Sequence, residues 1–320
     1  IQSLVLNDNS TKGAYSMQQT DQLTVLAQDL KFPEGPIALD DGSVIVVEIA
    51  RGTLSRVADG QVEVIAQLGG GPNGAAIGPD GKCYVCNNGG FKWIERNGRL
   101  YPGEEPTNYS GGRIERVDLA TGIIEILYAD CNGQPLRGPN DIVFDRSGGF
   151  WFTDHGKTRA RERDRTGVFY ASNDGSSINE MIFPMEGPNG VGLSPTEDEL
   201  YVAETLSGRV WAFELSGPGQ LTQGRGNPRV LTDRPGNHLY DSLAVDAHGG
   251  ICVATLIDGG ITIFDRDGAA PKFVPMPDRL TTNICFGGEQ LQTAFVTLSS
   301  TGQLVSMPWA TPGLPLNFLN

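Results

Sequence analysis

The chain is predicted to be all-β, a six-bladed β-propeller of four-stranded blades whose ring is closed by an N-terminal strand completing the last blade. Three observations predict it: a hairpin unit that recurs six times, glycine and proline spread evenly between apolar runs, and a missing last strand with a spare one near the N-terminus.

The repeat comes first. Glu34, Asn73, Asn140, Asn189, Asp241 and Asn283 each precede a short apolar run, a turn and a second apolar run. The second run ends at Glu48, Asn87, Asp154, Glu204, Thr255 and Thr297, fourteen residues on in five units and fifteen in the fourth. Four units carry glycine eight residues after the start (Gly42, Gly81, Gly148, Gly249), where a hairpin turn needs positive φ. A third strand follows a glycine turn, as at Gly112-Arg113-Ile114 and Gly302-Gln303-Leu304, and a less regular fourth strand completes the blade. The starts lie 39, 67, 49, 52 and 42 residues apart, near the spacing of propeller blades, with one enlarged unit. The 43 glycines and 20 prolines are the punctuation of many short strands. The chain runs out after the third strand of the sixth unit, and the run Leu23 to Leu30 is expected to supply its outer strand, leaving no raw sheet edge. Residues 1–21 read as a polar tail, and 22–320 as one propeller domain.

Composition narrows the function. A net charge of −14 would repel a phosphate backbone, so nucleic acid is not an expected partner. No apolar run approaches membrane-spanning length, so no membrane partner is expected either. The five cysteines are odd in number and lie mostly in strand-like runs, which fits reduced thiols and a cytoplasmic protein. Cys83 and Cys86 face opposite sides of a strand and make no zinc or redox pair. Gly69 to Gly74 satisfies a dinucleotide-loop pattern, but a strand follows it where that mechanism needs a helix.

In a propeller the innermost strands line the central channel, so the six starts should converge on one rim. They are two carboxylates and four amides with no cation, a set that suits a hard divalent ion. Calcium is the first expectation, with zinc, magnesium or manganese as the other candidates. Glu34 carries the most weight, because glutamate forms turns poorly and Phe32-Pro33-Glu34-Gly35-Pro36 places it where other units have Asn or Asp.

The same residues carry a family resemblance. Phe32 to Pro36, Pro139-Asn140-Asp141, Trp151 to Asp154, Pro188 to Ser194, Leu200 to Thr205 and Asp241 to Asp246 resemble the gluconolactonase, senescence-marker-protein and luciferin-regenerating-enzyme family over nearly the whole chain. The resemblance implies a metal-dependent hydrolase that opens a small lactone or ester at the propeller axis. It implies Glu34, Asn189 and Asp241 as direct metal ligands, with Asn140 a fourth ligand or a substrate contact. Sugar-lactone members place an arginine two residues before the Asn140 equivalent, where this chain has Gly138 next to Arg137. They commonly read Pro-Asp-Gly where it has Tyr240-Asp241-Ser242. The resemblance thus implies the hydrolytic chemistry more firmly than a sugar lactone as substrate.

Asp241 is the expected base, with Asp154 and His155 the next candidates for proton transfer. The second-strand ends return to the same rim and are expected to reach a substrate. Asn73, Asn87, Arg137, Trp93, His238 and Thr282 are the expected substrate contacts. The segment Phe91 to Gly111 is expected to form a lid, with Trp93, Tyr101 and Tyr109 as apolar walls. Two other functions remain open at this level: a phosphotriesterase of the diisopropyl-fluorophosphatase type, and a propeller that only binds a partner.

Overall fold

Six antiparallel sheets stand around a central channel in the computed structural model, which describes residues 22–232, 238–266 and 270–319. The expected tail at 1–21 lies outside the described residues. Blade one is built from Pro33–Ala38, Val44–Glu48, Thr53–Ala58 and Gln61–Gln67. The inner strands of blades two to six are Pro72–Ile77, Pro139–Phe144, Pro188–Leu193, Leu239–Val245 and Thr281–Gly287. Each is in contact with the inner strands of its two neighbours, so the ring is continuous. It closes as the sequence predicts: Thr24–Ala27 pairs with Gln303–Pro308 as the outer strand of blade six.

Blade four departs from the regular plan. The outer edge of its long third strand, Arg209–Gly217, is shared by two short strands, Gln220–Leu221 and Arg229–Val230.

Each sheet is sandwiched between two others, which explains the composition of the strands. Second strands such as Val44–Glu48, Phe150–Asp154 and Ile251–Leu256 are buried at every position, whereas the outer strand Gln61–Gln67 is largely exposed. The core is therefore divided among the interfaces, one apolar cluster to each of the six blade junctions. Cys83 packs into the junction of blades one and two and Cys86 into that of two and three, on opposite faces of their strand. All five thiols are buried and unbridged.

Two insertions matter for the site. Between the second and third strands of blade two the chain forms a hairpin, Trp93–Arg96 with Arg99–Pro102. In blade three the same connection runs from Asp154 to Thr166 as an irregular loop. At the opposite mouth of the channel the C-terminal segment crosses the blades, with Gly313 bridging Asp246 and the Asn317 side chain bonded to the Phe144 carbonyl and Glu197. Among the described residues no helix is long and apolar enough to cross a membrane.

Candidate functional site

In every blade the register between first and second strands slips at the same place: between Glu34 and Ile37, Pro72 and Ala75, Pro139 and Ile142, Pro188 and Val191, Tyr240 and Leu243, and Thr281 and Asn283. A bulge of this kind releases a side chain from the alternation of the sheet. The predicted rim residues thus stand inside the inner strands, at the bulge, and not just before them. Neighbouring backbones approach so closely there that a Cβ on Gly190 would lie 2.7 Å from the Asp241 carbonyl oxygen.

The bulges bring Glu34, Asn73, Asn140, Asn189 and Asp241 to the floor of one cavity of about 470 Å³. The sixth floor position is Thr282, one residue earlier than the repeat predicts. Asn283 lies below and donates from Nδ2 to Glu34 Oε2 at 2.7 Å. Blade six pairs Asn283 directly with Thr297, whereas blade one pairs Pro33, the residue before Glu34, with Glu48, and this offset produces the shift.

The floor is electrostatically unsatisfied. Burial, with the neighbouring Glu34 carboxylate adding repulsion, drives Asp241 well above the usual carboxylate range. Burial pushes Glu34 up to about 7 despite bonds from Asn283 and the Gly35 amide. Asp141, directed below the floor, is pushed up to about 7 by burial and then by Glu34. The buried Asn140 Oδ1 has no hydrogen-bond partner. Mutually repelling carboxylates and an orphan amide oxygen fit a hard cation, which would satisfy all of them at once. Among the described residues no group of three or more His, Cys, Asp or Glu could hold a metal, so any such ion would depend on the amide oxygens.

Phe32, Ile49, Phe91, Leu206, Leu256 and Leu280 make the apolar wall. The hairpin insertion does cover the cavity: Leu100 N–H bonds the Ser300 carbonyl of blade six, and Glu105 N–H bonds the Thr158 carbonyl of blade three. Its wall residues differ from those expected. Phe91, Pro102, Gly103 and Glu104 line the cavity, while Trp93 packs behind, 5.1 Å from the Phe32 ring and 6.0 Å from Phe91. Tyr101 packs in the same apolar cluster, and Tyr109 donates its hydroxyl to the Arg137 carbonyl at 2.6 Å. Phe91 is held by the buried Lys157, whose Nζ sits 4.0 Å from the ring centroid and bonds Asn88 Oδ1 and the Gly90 carbonyl. Burial pulls that ammonium down to about 7.

Several expected contacts do not line the cavity. Asp154 accepts from the backbone N–H groups of Arg137, Gly138 and Gly156 at 2.7 to 2.8 Å, and burial, offset by those bonds, raises its carboxyl. Asn87 is closed off in the same way, accepting from Gly71 and Gly89 N–H and donating to the Gly69 carbonyl and Glu115. Arg137 is committed to Asp164 and Glu105, and His238 to Asp258 at 2.6 Å while stacking on Tyr240. These residues clamp loops. His155, by contrast, reaches the cavity, with Nδ1 buried and unpartnered. Burial and the nearby Arg163 keep it neutral, well below its usual range.

The blade-three loop contributes Thr158, Arg159, Ala160 and Arg163 to the cavity, none of them singled out by the repeat. A signal was present. Lys157, Arg159, Arg161, Arg163 and Arg165 alternate along this loop in a chain with only 24 cations.

The family model described as SMP-30/Gluconolactonase/LRE-like region matches residues 32–300. A gluconolactonase of Zymomonas mobilis is 27% identical over 305 residues, covering 87% of this chain and 79% of its own. The diisopropyl-fluorophosphatase of Loligo vulgaris is 27% identical over 205 residues, covering 59% of this chain and 63% of its own. In fold, a gluconolactonase structure from Xanthomonas campestris superposes with a TM-score of 0.71 at 24% identity, covering 91% of this chain and 89% of that one.

Proposed function

Because the chain belongs to the SMP-30/gluconolactonase/LRE-like family, we propose that it is a hydrolase that opens a small lactone or ester on a divalent cation held at the propeller axis. The observation that carries this reading is the cavity floor, where the buried carboxylates of Glu34 and Asp241 converge with the unpartnered Asn140 Oδ1. Glu34, Asn140, Asn189 and Asp241 would hold the ion, and their oxygen-only chemistry favours calcium over zinc, magnesium or manganese. When bound, the cation supplies Lewis-acid polarisation of the ester carbonyl.

The remaining work falls to the chain. Asp241 takes a proton from the attacking water as its oxygen bonds the carbonyl carbon, and the proton is returned to the ring oxygen as the C–O bond breaks. Asn73 and Thr282 offer polar contacts on the floor beside it. His155 Nδ1, held neutral, accepts a hydrogen bond from substrate or water. Phe32, Phe91, Leu256 and Leu280 shield the reacting carbonyl from bulk water, and a cavity of about 470 Å³ suits a small molecule.

The test is a panel of lactones and aryl esters assayed with calcium and with chelator. Ring opening that chelation abolishes is the expected result, and absence of turnover on every lactone would refute it. A second reading is favoured by the similarity to the diisopropyl-fluorophosphatase of Loligo vulgaris, since a cation on a floor of this kind could also polarise a phosphoryl oxygen. Faster turnover of diisopropyl fluorophosphate than of any lactone would select it.

A further inference from the structure

The proposed reaction leaves one cavity group without a task, and resting on that reading we propose that Arg163 binds a carboxylate carried by the substrate, so that the preferred substrate is an anionic lactone. The argument starts from what the neighbouring cations do. Arg159 is spent on Asp164, Glu105 and Glu162, Arg137 on Asp164 and Glu105, and Arg165 reaches Glu186 at 3.4 Å. Arg163 lines the cavity, and among the described residues it forms no ion pair with a carboxylate.

Its remaining bonds are neutral. Nη1 donates to the Thr158 hydroxyl at 3.0 Å and Nη2 to the His155 carbonyl at 2.8 Å. Nε is buried and has no partner. Glu186 and Asp164 attract it only from beyond ion-pair distance, and a desolvated guanidinium with no bonded carboxylate is costly to keep, burial lowering its affinity for the proton. Fixing the loop requires no charge, since a neutral amide could hold the same two oxygens. A carboxylate entering the cavity would supply a directly bonded counter-charge at the guanidinium, through the second N–H groups that Nη1 and Nη2 keep beyond their bonds to Thr158 and His155.

The surroundings favour an anion that is also hydroxylated or hydrated. His155 stands beside Arg163: a Cβ on Gly187 would lie 2.5 Å from Arg163 Nη2 and 3.4 Å from His155 Nδ1. Arg163 and His155 therefore lie side by side, and both residues line the cavity, one bringing a charged donor and the other a neutral imidazole. Glu186 and Asp164 are the carboxylates whose charge reaches Arg163, and Glu34, Asp241 and Glu104 are the acidic residues lining the same cavity. A cation bound on the floor would offset Glu34 and Asp241.

A binding experiment tests this without relying on turnover. Two lactams that mimic γ-lactones but resist opening, 2-pyrrolidone and its 5-carboxylate, are titrated by calorimetry into the calcium-loaded protein. The wild type is expected to bind the carboxylate about ten- to a hundredfold more tightly than the neutral lactam, the range of a charge-assisted hydrogen bond. Because a floor cation also attracts carboxylates, Arg163→Met decides the question: the preference should fall to a few-fold or less. Arg161→Met removes an equal charge from an exposed position of the same loop and should leave the preference intact. Arg163→Gln, which can keep the bond to the His155 carbonyl, replaces the methionine variant if that one does not fold. A wild-type ratio near one, or a ratio that survives loss of Arg163, overturns the proposal. Failure of the protein to open any lactone would overturn the hydrolase reading instead, with the lactam ratios still deciding the role of Arg163.

Discussion

Glu48, Asn87, Asp154 and Glu204 end the second strands of blades one to four and are as buried as Glu34, Asn140, Asn189 and Asp241 on the first strands. The two sets share residue types and lie at the same end of the blades. Their surroundings are opposite. Glu48 collects bonds from the Lys31 amide, Arg51, Thr53 and Ser55, and Asp154 collects three backbone amides. Glu204 collects the Glu186 amide, the Trp211 indole and the Ser207 hydroxyl. Each holds the loop that leads into its own blade. The first-strand set has carboxylates that repel one another and an amide oxygen with no partner. Burial is thus common to both, and what separates a structural polar residue from a site residue is whether its hydrogen-bonding capacity is used up inside the fold.

The largest expected contrast is between Asp241 and Asp154. Asp241→Asn should lower kcat/KM by about a thousandfold or more, through loss of both the proposed ligand charge and the proposed base. The thermal stability of the metal-free protein should hold or rise, because a repelling buried charge is gone. Asp154→Ala should do the reverse. Three backbone amides lose their acceptor, at a cost of about 3 kcal/mol or more in denaturant unfolding, while turnover per folded molecule persists. Turnover lost in Asp154→Ala without loss of stability would break the comparison.

A smaller effect appears in the pH dependence of stability. Glu34 and Asp141 titrate near 7 in the folded, metal-free protein against ordinary values of 4.5 and 3.8. Between those values the folded state holds more protons than the unfolded chain, so stability contributed by the neutral forms is lost as pH rises through that window. Melting temperatures measured with chelator should therefore decline from pH 5 to 7 in a way that added calcium removes. The same slope with and without calcium would detach these carboxylates from any cation. Least of all, replacing the hairpin at 93–102 by a short glycine turn should raise KM several-fold by removing the cover beside Phe91. Unchanged KM across a lactone panel would leave selection to the blade-three loop.

Much of this was legible in the sequence, and the failures have physical causes. The six hairpins, the closing strand and five of the six floor residues follow from a repeat that blade geometry imposes on every unit. Thr282 stands among the expected substrate contacts and lines the cavity, but its taking the floor position in place of Asn283 is not legible in the repeat, because it arises from a register offset confined to blade six. Asp154 and Asn87 were misread because the donors that satisfy them are backbone amides, which leave no trace in side-chain identity. Trp93 was misplaced because a hairpin folds it onto Phe32, away from the cavity. Arg163 carries no signal in the repeat, because it stands in the irregular connection from Asp154 to Thr166, which the hairpin period does not reach.

The most direct test of the account is a crystal of the protein grown with calcium, together with a parallel crystal in which manganese replaces it for anomalous scattering. One anomalous peak per chain is predicted, on the channel axis, with oxygens of Glu34, Asn140, Asn189 and Asp241 within about 2.6 Å of the ion. A floor that stays without a peak at saturating metal, or an ion bound elsewhere with Glu34 and Asp241 not coordinating it, would contradict it.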